Sequence, residues 1–97
     1  MADTGAETRD EIIAQLRAIL AELAGRLGND SSMLSETEII PNSGVVDSVG
    51  LIEFVMLVDE KYRLGIEAED MTVDQLGTFS AIADFVQARR QFGRKQT

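Results

Sequence analysis

The groups in this chain that could do chemistry are hydroxyls and carboxylates, because the sequence holds neither cysteine nor histidine. Without cysteine there is no disulfide, thiolate nucleophile or cysteine metal site. Without histidine the commonest general base and zinc ligand is missing as well. Carboxylate hydrolysis or a Mg²⁺ site stays open on composition alone, but no acidic pair falls in a recognisable catalytic motif. The pair that stands out is Asp47-Ser48, placed where a Gly/Pro/Ser loop turns into the apolar run VGLIEFVMLVDEKY. Asp and Ser at such a border satisfy the unpaired N–H groups of a first helical turn. The other reading is that the Ser48 hydroxyl is presented there for chemistry. Glu53, Asp59 and Glu60 follow on the same run and carry its negative charge.

The elements that must hold this pair are few. A chain of 97 residues reads as one domain over 1–97, with flexible ends at 1–8 and 92–97, large enough for a small core but too small for a deep cleft between subdomains. Apolar residues at 12, 13, 16, 19, 20, 23 and 27 recur three and four apart, which predicts a first helix from about Arg9 to Leu27. Thr8 with Glu11 makes a capping box, and Gly28-Asn29 a stop. Asn29 to Asp47 reads as one long loop pinned by Met33, Leu34, Ile39, Ile40, Val45 and Val46. A second helix should run from Ser48 to about Arg63 or Leu64, ending before Gly65. It is apolar almost all round, so it is either central to the bundle or leaves an apolar edge for a partner. Ile66 to Leu76 reads as a loop with one or two helical turns, with Met71, Val73 and Leu76 facing inward. Thr78 should cap a last helix from Phe79 to about Gln91. The expected fold class is all-α: a small bundle of three main helices and one short helix, with a long loop between the first two.

Charge narrows the partners. Nine basic residues against 17 acidic ones give a net charge of −8, and residues 1–88 alone carry −12. Nucleic acid is excluded as a partner, since phosphate neutralisation needs clustered Lys and Arg. Basic docking patches on other proteins suit this surface. The N-terminal MADTGAETRDE has no apolar core and no run approaches the roughly 20 residues of a membrane span, so a cytoplasmic monomer without membrane insertion is expected.

At this point the sequence resembles the acyl carrier proteins, whose modification segment reads D-S-L-(D/G)-x-(V/I)-E-(L/F)-V. The matching run is Asp47, Ser48, Val49, Gly50, Leu51, Ile52, Glu53, Phe54 and Val55, continued by Met56 and by Asp59 to Tyr62. The likeness takes in nearly the whole chain. It implies a non-catalytic carrier in which Ser48 bears 4′-phosphopantetheine, taken from coenzyme A by a phosphopantetheinyl transferase. A phosphodiester there would lie at the positive end of the helix macrodipole, and the arm's thiol is the nucleophile that the chain itself lacks. By the same resemblance Asp47 helps the transferase position Ser48, through a basic residue or Mg²⁺, while Val49, Glu53, Met56, Asp59 and Glu60 dock partner enzymes. Those partners are a cargo-loading ligase of adenylating type or an acyltransferase, and downstream acyl-transfer enzymes.

Gly50 departs from the fatty-acid type, which has an acid two residues after the serine. It removes a docking charge and costs about 1 kcal/mol relative to alanine where nothing compensates. The DSVG context is more similar to D-alanyl, aminoacyl or specialised stand-alone carriers. A core lined by Leu51, Val55, Met71 and Leu76 could shelter an acyl chain if it opens, whereas an aminoacyl cargo would stay outside. Beside the dedicated carrier stand two alternatives: a general carrier of fatty-acid synthesis, and an unmodified acidic helical domain that binds a basic partner.

Overall fold

In a computed structural model that describes residues 8–96, with side chains through Arg89, the chain is all-helical. The order is α1 (Arg9–Arg26), α2 (Ile40–Ser43), α3 (Ser48–Tyr62), a 3₁₀ turn at Ala68–Asp70, α4 (Val73–Leu76) and α5 (Phe79–Gln96). Most of the end segments expected to be flexible lies outside the described residues or side chains.

Each long helix starts on a side-chain cap. Thr8 Oγ1 accepts the N–H of Glu11 at 3.1 Å while Glu11 Oε1 accepts that of Thr8 at 2.8 Å, the reciprocal pair the sequence predicts. Thr78 Oγ1 takes the Ala81 N–H at 3.0 Å at the start of α5. The stripe of α1, from Ile12 through Leu16 and Leu20 to Leu23, is buried against α5 and α3. At the centre, Phe54 of α3 and Phe79 of α5 meet edge to face with centroids 6.1 Å apart, a favoured aromatic geometry.

The expected long loop contains its own element. Pro41 opens the short α2, suited to a first turn because it lacks an N–H to satisfy, and Gly44 closes it at φ 83°. Among the described residues the bundle thus has two short helices rather than one. Arginines stitch the loop down: Arg17 donates to the Leu34 carbonyl at 2.7 Å and lies over the Phe79 ring. Arg9 donates to Glu36 and Asp84, both at 3.1 Å, and to the Ser80 hydroxyl. Asp84 first and Glu36 second stabilise the charged guanidinium and raise its pKa. Two backbone bonds complete the attachment, Ile40 N–H to the Gly77 carbonyl at 2.8 Å and Ser80 N–H to the Glu36 carbonyl at 2.9 Å.

Four residues expected inside are outside. Met33 is 90% exposed and Ile39 39%, while their neighbours Leu34 and Ile40 are buried. Consecutive side chains leave the backbone in different directions, so one of each adjacent pair points to water. Leu27 is exposed because α1 ends at Arg26 and the chain turns at Gly28, φ 79°, before another helical turn can carry it inward. Val73 is exposed because a one-turn helix has a single inward position, which Leu76 takes. Helix α3 ends one residue early, with Arg63 in the left-handed region at φ 55°, and α5 extends past Gln91 to Gln96.

Candidate functional site

The site is built at the first turn of α3. Asp47 is the N-cap: its backbone is extended and its Oδ1 accepts the Gly50 N–H at 2.8 Å, while its carbonyl accepts the Leu51 N–H at 2.9 Å. Ser48 is therefore the first helical residue, and its side chain is exposed. The two roles read for the Asp-Ser pair fall on separate residues, with Asp47 doing the capping and Ser48 presenting a hydroxyl. No acidic residue lies in the first turn of α3, so an anionic group on Ser48 would meet the positive end of the helix dipole with Asp47 as the adjacent negative charge.

Gly50 is buried directly behind this pair. A Cβ at that position would fall 2.7 Å from Val46 Cβ and 3.4 Å from Asp47 Oδ1. Close packing of the preceding loop onto the helix therefore compensates the helix cost of glycine, which the sequence alone shows only as a missing charge.

Outward from Ser48, α3 carries the exposed edge that its apolar run allows. Val49 is 70% exposed, Met56 55% and Ile52 42%, whereas Leu51, Phe54, Val55 and Val58 are buried in the core. Both readings of the helix hold at once: it is central on one face and open on the other. Glu53 and Glu60 are exposed and share a stripe with Val49 and Met56 at helical spacing. Ile52, three residues from Val49 and four from Met56, was not among the docking candidates, although helical spacing places it beside both.

Asp59 stands apart from its acidic neighbours. Its Oδ1 accepts the backbone N–H groups of Leu64 at 3.0 Å and Gly65 at 2.9 Å, closing the C-terminal end of α3. An open depression lies there, lined by Met56, Asp59, Glu60, Arg63 and Met71. Arg89 of α5 reaches the same corner, donating to the Leu64 carbonyl at 2.8 Å and pairing with Asp70 at 3.5 Å. Among the core positions named for an acyl chain, Leu51, Val55 and Leu76 are buried and Met71 is half-buried at their edge. Among the described residues no cluster of carboxylates could hold a metal ion, and no helix is long and apolar enough to cross a membrane.

Comparison with known proteins meets this geometry at its centre. The family model described as a phosphopantetheine attachment site matches residues 14–86, which take in the whole of α3. A curated relative, the acyl carrier protein of Thermotoga maritima, is 24% identical over 82 residues, spanning 84% of this chain and 95% of that protein. No solved structure matches.

Proposed function

Since the chain belongs to the phosphopantetheine-attachment family of carrier proteins, we propose that Ser48 is its attachment residue and that it serves a dedicated pathway, holding an acyl or aminoacyl cargo. Carriers of this family are not catalysts; each holds 4′-phosphopantetheine on a serine and meets a phosphopantetheinyl transferase and acyl-handling enzymes. When bound, that group supplies a thiol on a long arm, to which cargo is joined as a thioester.

The observation that carries the assignment is the exposed hydroxyl at the first position of α3, behind a cap that another residue supplies. The residues present fit the group. Ser48 is accessible, the first turn is free of acidic side chains, and the helix dipole favours negative charge at that end. Asp47 fixes the direction in which the chain enters the helix, which sets where the backbone of Ser48 lies. Val49, Ile52 and Met56 then provide an apolar strip bordered by Glu53 and Glu60, suited to a partner face that combines a hydrophobic centre with basic residues. Methionine suits a surface that meets several partners in turn.

The dedicated pathway is favoured by Gly50, which leaves no carboxylate two residues beyond the serine. On this reading an adenylating ligase or an acyltransferase loads the cargo, and a downstream transferase removes it. The test is direct: incubate the purified chain with coenzyme A and a broad-specificity phosphopantetheinyl transferase, then read the intact mass. A gain of one phosphopantetheine that Ser48→Ala abolishes is expected. An unchanged mass, or a gain that survives Ser48→Ala, sinks the assignment.

A further inference from the structure

We propose that Gly50 is a positioning residue for Ser48: the absence of a side chain lets Val46 seat on the first turn of α3 and so sets where the hydroxyl is offered. This rests on Ser48 being the attachment residue. The contact is unusually close, since a Cβ on residue 50 would lie 2.7 Å from Val46 Cβ, well inside ordinary van der Waals contact. The conflicting atom is a Cβ, bound directly to the backbone, so a rotamer change at Val46 does not relieve it.

Something must therefore move by several tenths of an ångström, and the structure decides which side gives way. Val46 is 3% exposed and belongs to the core cluster. The residue before it is tethered twice: the Val45 N–H donates to Ser43 Oγ at 3.2 Å, and the Val45 carbonyl accepts from Asn29 Nδ2 at 2.8 Å. Asp47 and Ser48, by contrast, are exposed. The added methyl would also crowd Asp47 Oδ1 at 3.4 Å, the atom that accepts the Gly50 N–H. Displacement passes to the cap and the serine rather than into the core. Small misplacements of a reacting group reduce turnover steeply, about 100-fold for 1 Å.

The experiment is a cycle of Gly50→Ala and Val46→Gly, read as kcat and KM for transfer of phosphopantetheine from coenzyme A, with circular dichroism and a thermal melt on each chain. In the natural background Gly50→Ala should lower kcat by about tenfold. KM should change little, because Val49 and Met56 remain exposed. In the Val46→Gly background, where the opposing Cβ is gone, the same change should cost less than about threefold. Gly50→Asp should be at least as impaired as Gly50→Ala. A folded Gly50→Ala chain loaded at the natural kcat overturns the inference, as does an equal loss in both backgrounds. Should Gly50→Ala fail to fold, adding it to Val46→Gly must leave that variant's cooperative melt nearly unchanged, and a double variant that no longer melts cooperatively where Val46→Gly does overturns the inference equally. A natural chain that gains no mass instead sinks the attachment assignment, and with it this inference.

Discussion

The carboxylate of Asp59 accepts the backbone N–H of Gly65 at 2.9 Å, and the same Oδ1 takes the N–H of Leu64 at 3.0 Å. The chain reverses at this point, with Arg63 at φ 55° and Gly65 at φ 66°; the Leu64 N–H also reaches the Asp59 carbonyl at 3.4 Å, while the Gly65 N–H is held by the carboxylate. Its sequence position makes it a docking candidate, and its geometry makes it a brace as well. Asp59→Ala should therefore destabilise the fold by about 1.5–3 kcal/mol, the range for hydrogen bonds to a charged group. Glu60→Ala, fully on the surface, should stay within about 0.5 kcal/mol. Urea unfolding of the two variants checks this; equal midpoints would remove the brace.

The division of labour between Asp47 and Ser48 yields a second contrast. Asp47→Ala removes the acceptor for the Gly50 N–H and should cost about 0.5–2 kcal/mol. Ser48→Ala leaves the cap in place and should shift stability by no more than about 0.5 kcal/mol, while abolishing the mass gain on incubation with the transferase. A Ser48→Ala chain as destabilised as Asp47→Ala would mean that the serine is the cap.

Asp30 carries the clearest pH dependence. The backbone N–H of Ser32, donating at 2.9 Å, and then the Ser32 hydroxyl hold its carboxyl below the ordinary value of 3.8. A depressed folded-state pKa stabilises above the unfolded-state value and loses that contribution as pH falls through the folded-state value. Asp30→Asn should thus lower the unfolding midpoint slightly at neutral pH, with the difference from the natural chain closing as pH falls below 3.8. A difference constant across that range would show that the Ser32 contacts are not linked to protonation.

The exposed strip of α3 gives a prediction that separates binding from folding. Val49 and Met56 are 70% and 55% exposed, so Val49→Ala and Met56→Ala should each change stability by at most about 0.5 kcal/mol. If the strip docks the transferase, each should raise its KM severalfold at unchanged kcat, the pattern of lost uniform binding. Unchanged KM in both would move docking elsewhere on the surface.

What the sequence disclosed and what it withheld divide along a physical line. Helix starts were readable because caps are local: Thr8 with Glu11, Asp47, and Thr78 each act within three residues of themselves. The buried stripe of α1 followed from spacing alone, until Leu27, where the helix ends and periodicity no longer dictates direction. The long loop was the hardest part. Whether Met33 or Leu34, Ile39 or Ile40 points inward depends on attachments made 17 to 27 residues away along the chain, by Arg17 and Arg9. The family likeness singled out Ser48 as the candidate without geometry. Composition marked Gly50 as a missing charge, while its contact with Val46 needed coordinates, since nothing in the sequence says how closely a loop returns to the helix it precedes.

Gly77 provides the severest test of the packing. A Cβ there would overlap the carbonyl oxygen of Val73 and lie 3.0 Å from Val73 Cγ1, and both belong to the single turn of α4. The Gly77 carbonyl also accepts the Ile40 N–H at 2.8 Å, so any shift of this backbone pulls on the loop as well as on the start of α5. Backbone cannot rotate away as a side-chain tip can, and Gly77→Ala should cost about 1–3 kcal/mol, the range for forced overpacking. Gly25→Ala, where an added methyl meets nothing within 4 Å on the outer face of α1, should instead stabilise by about 0.4–1 kcal/mol through the unfolded state. The pair is compared by urea unfolding. Opposite signs support the close approach of α4 to residue 77, and a stabilising Gly77→Ala would show that α4 does not pack as described.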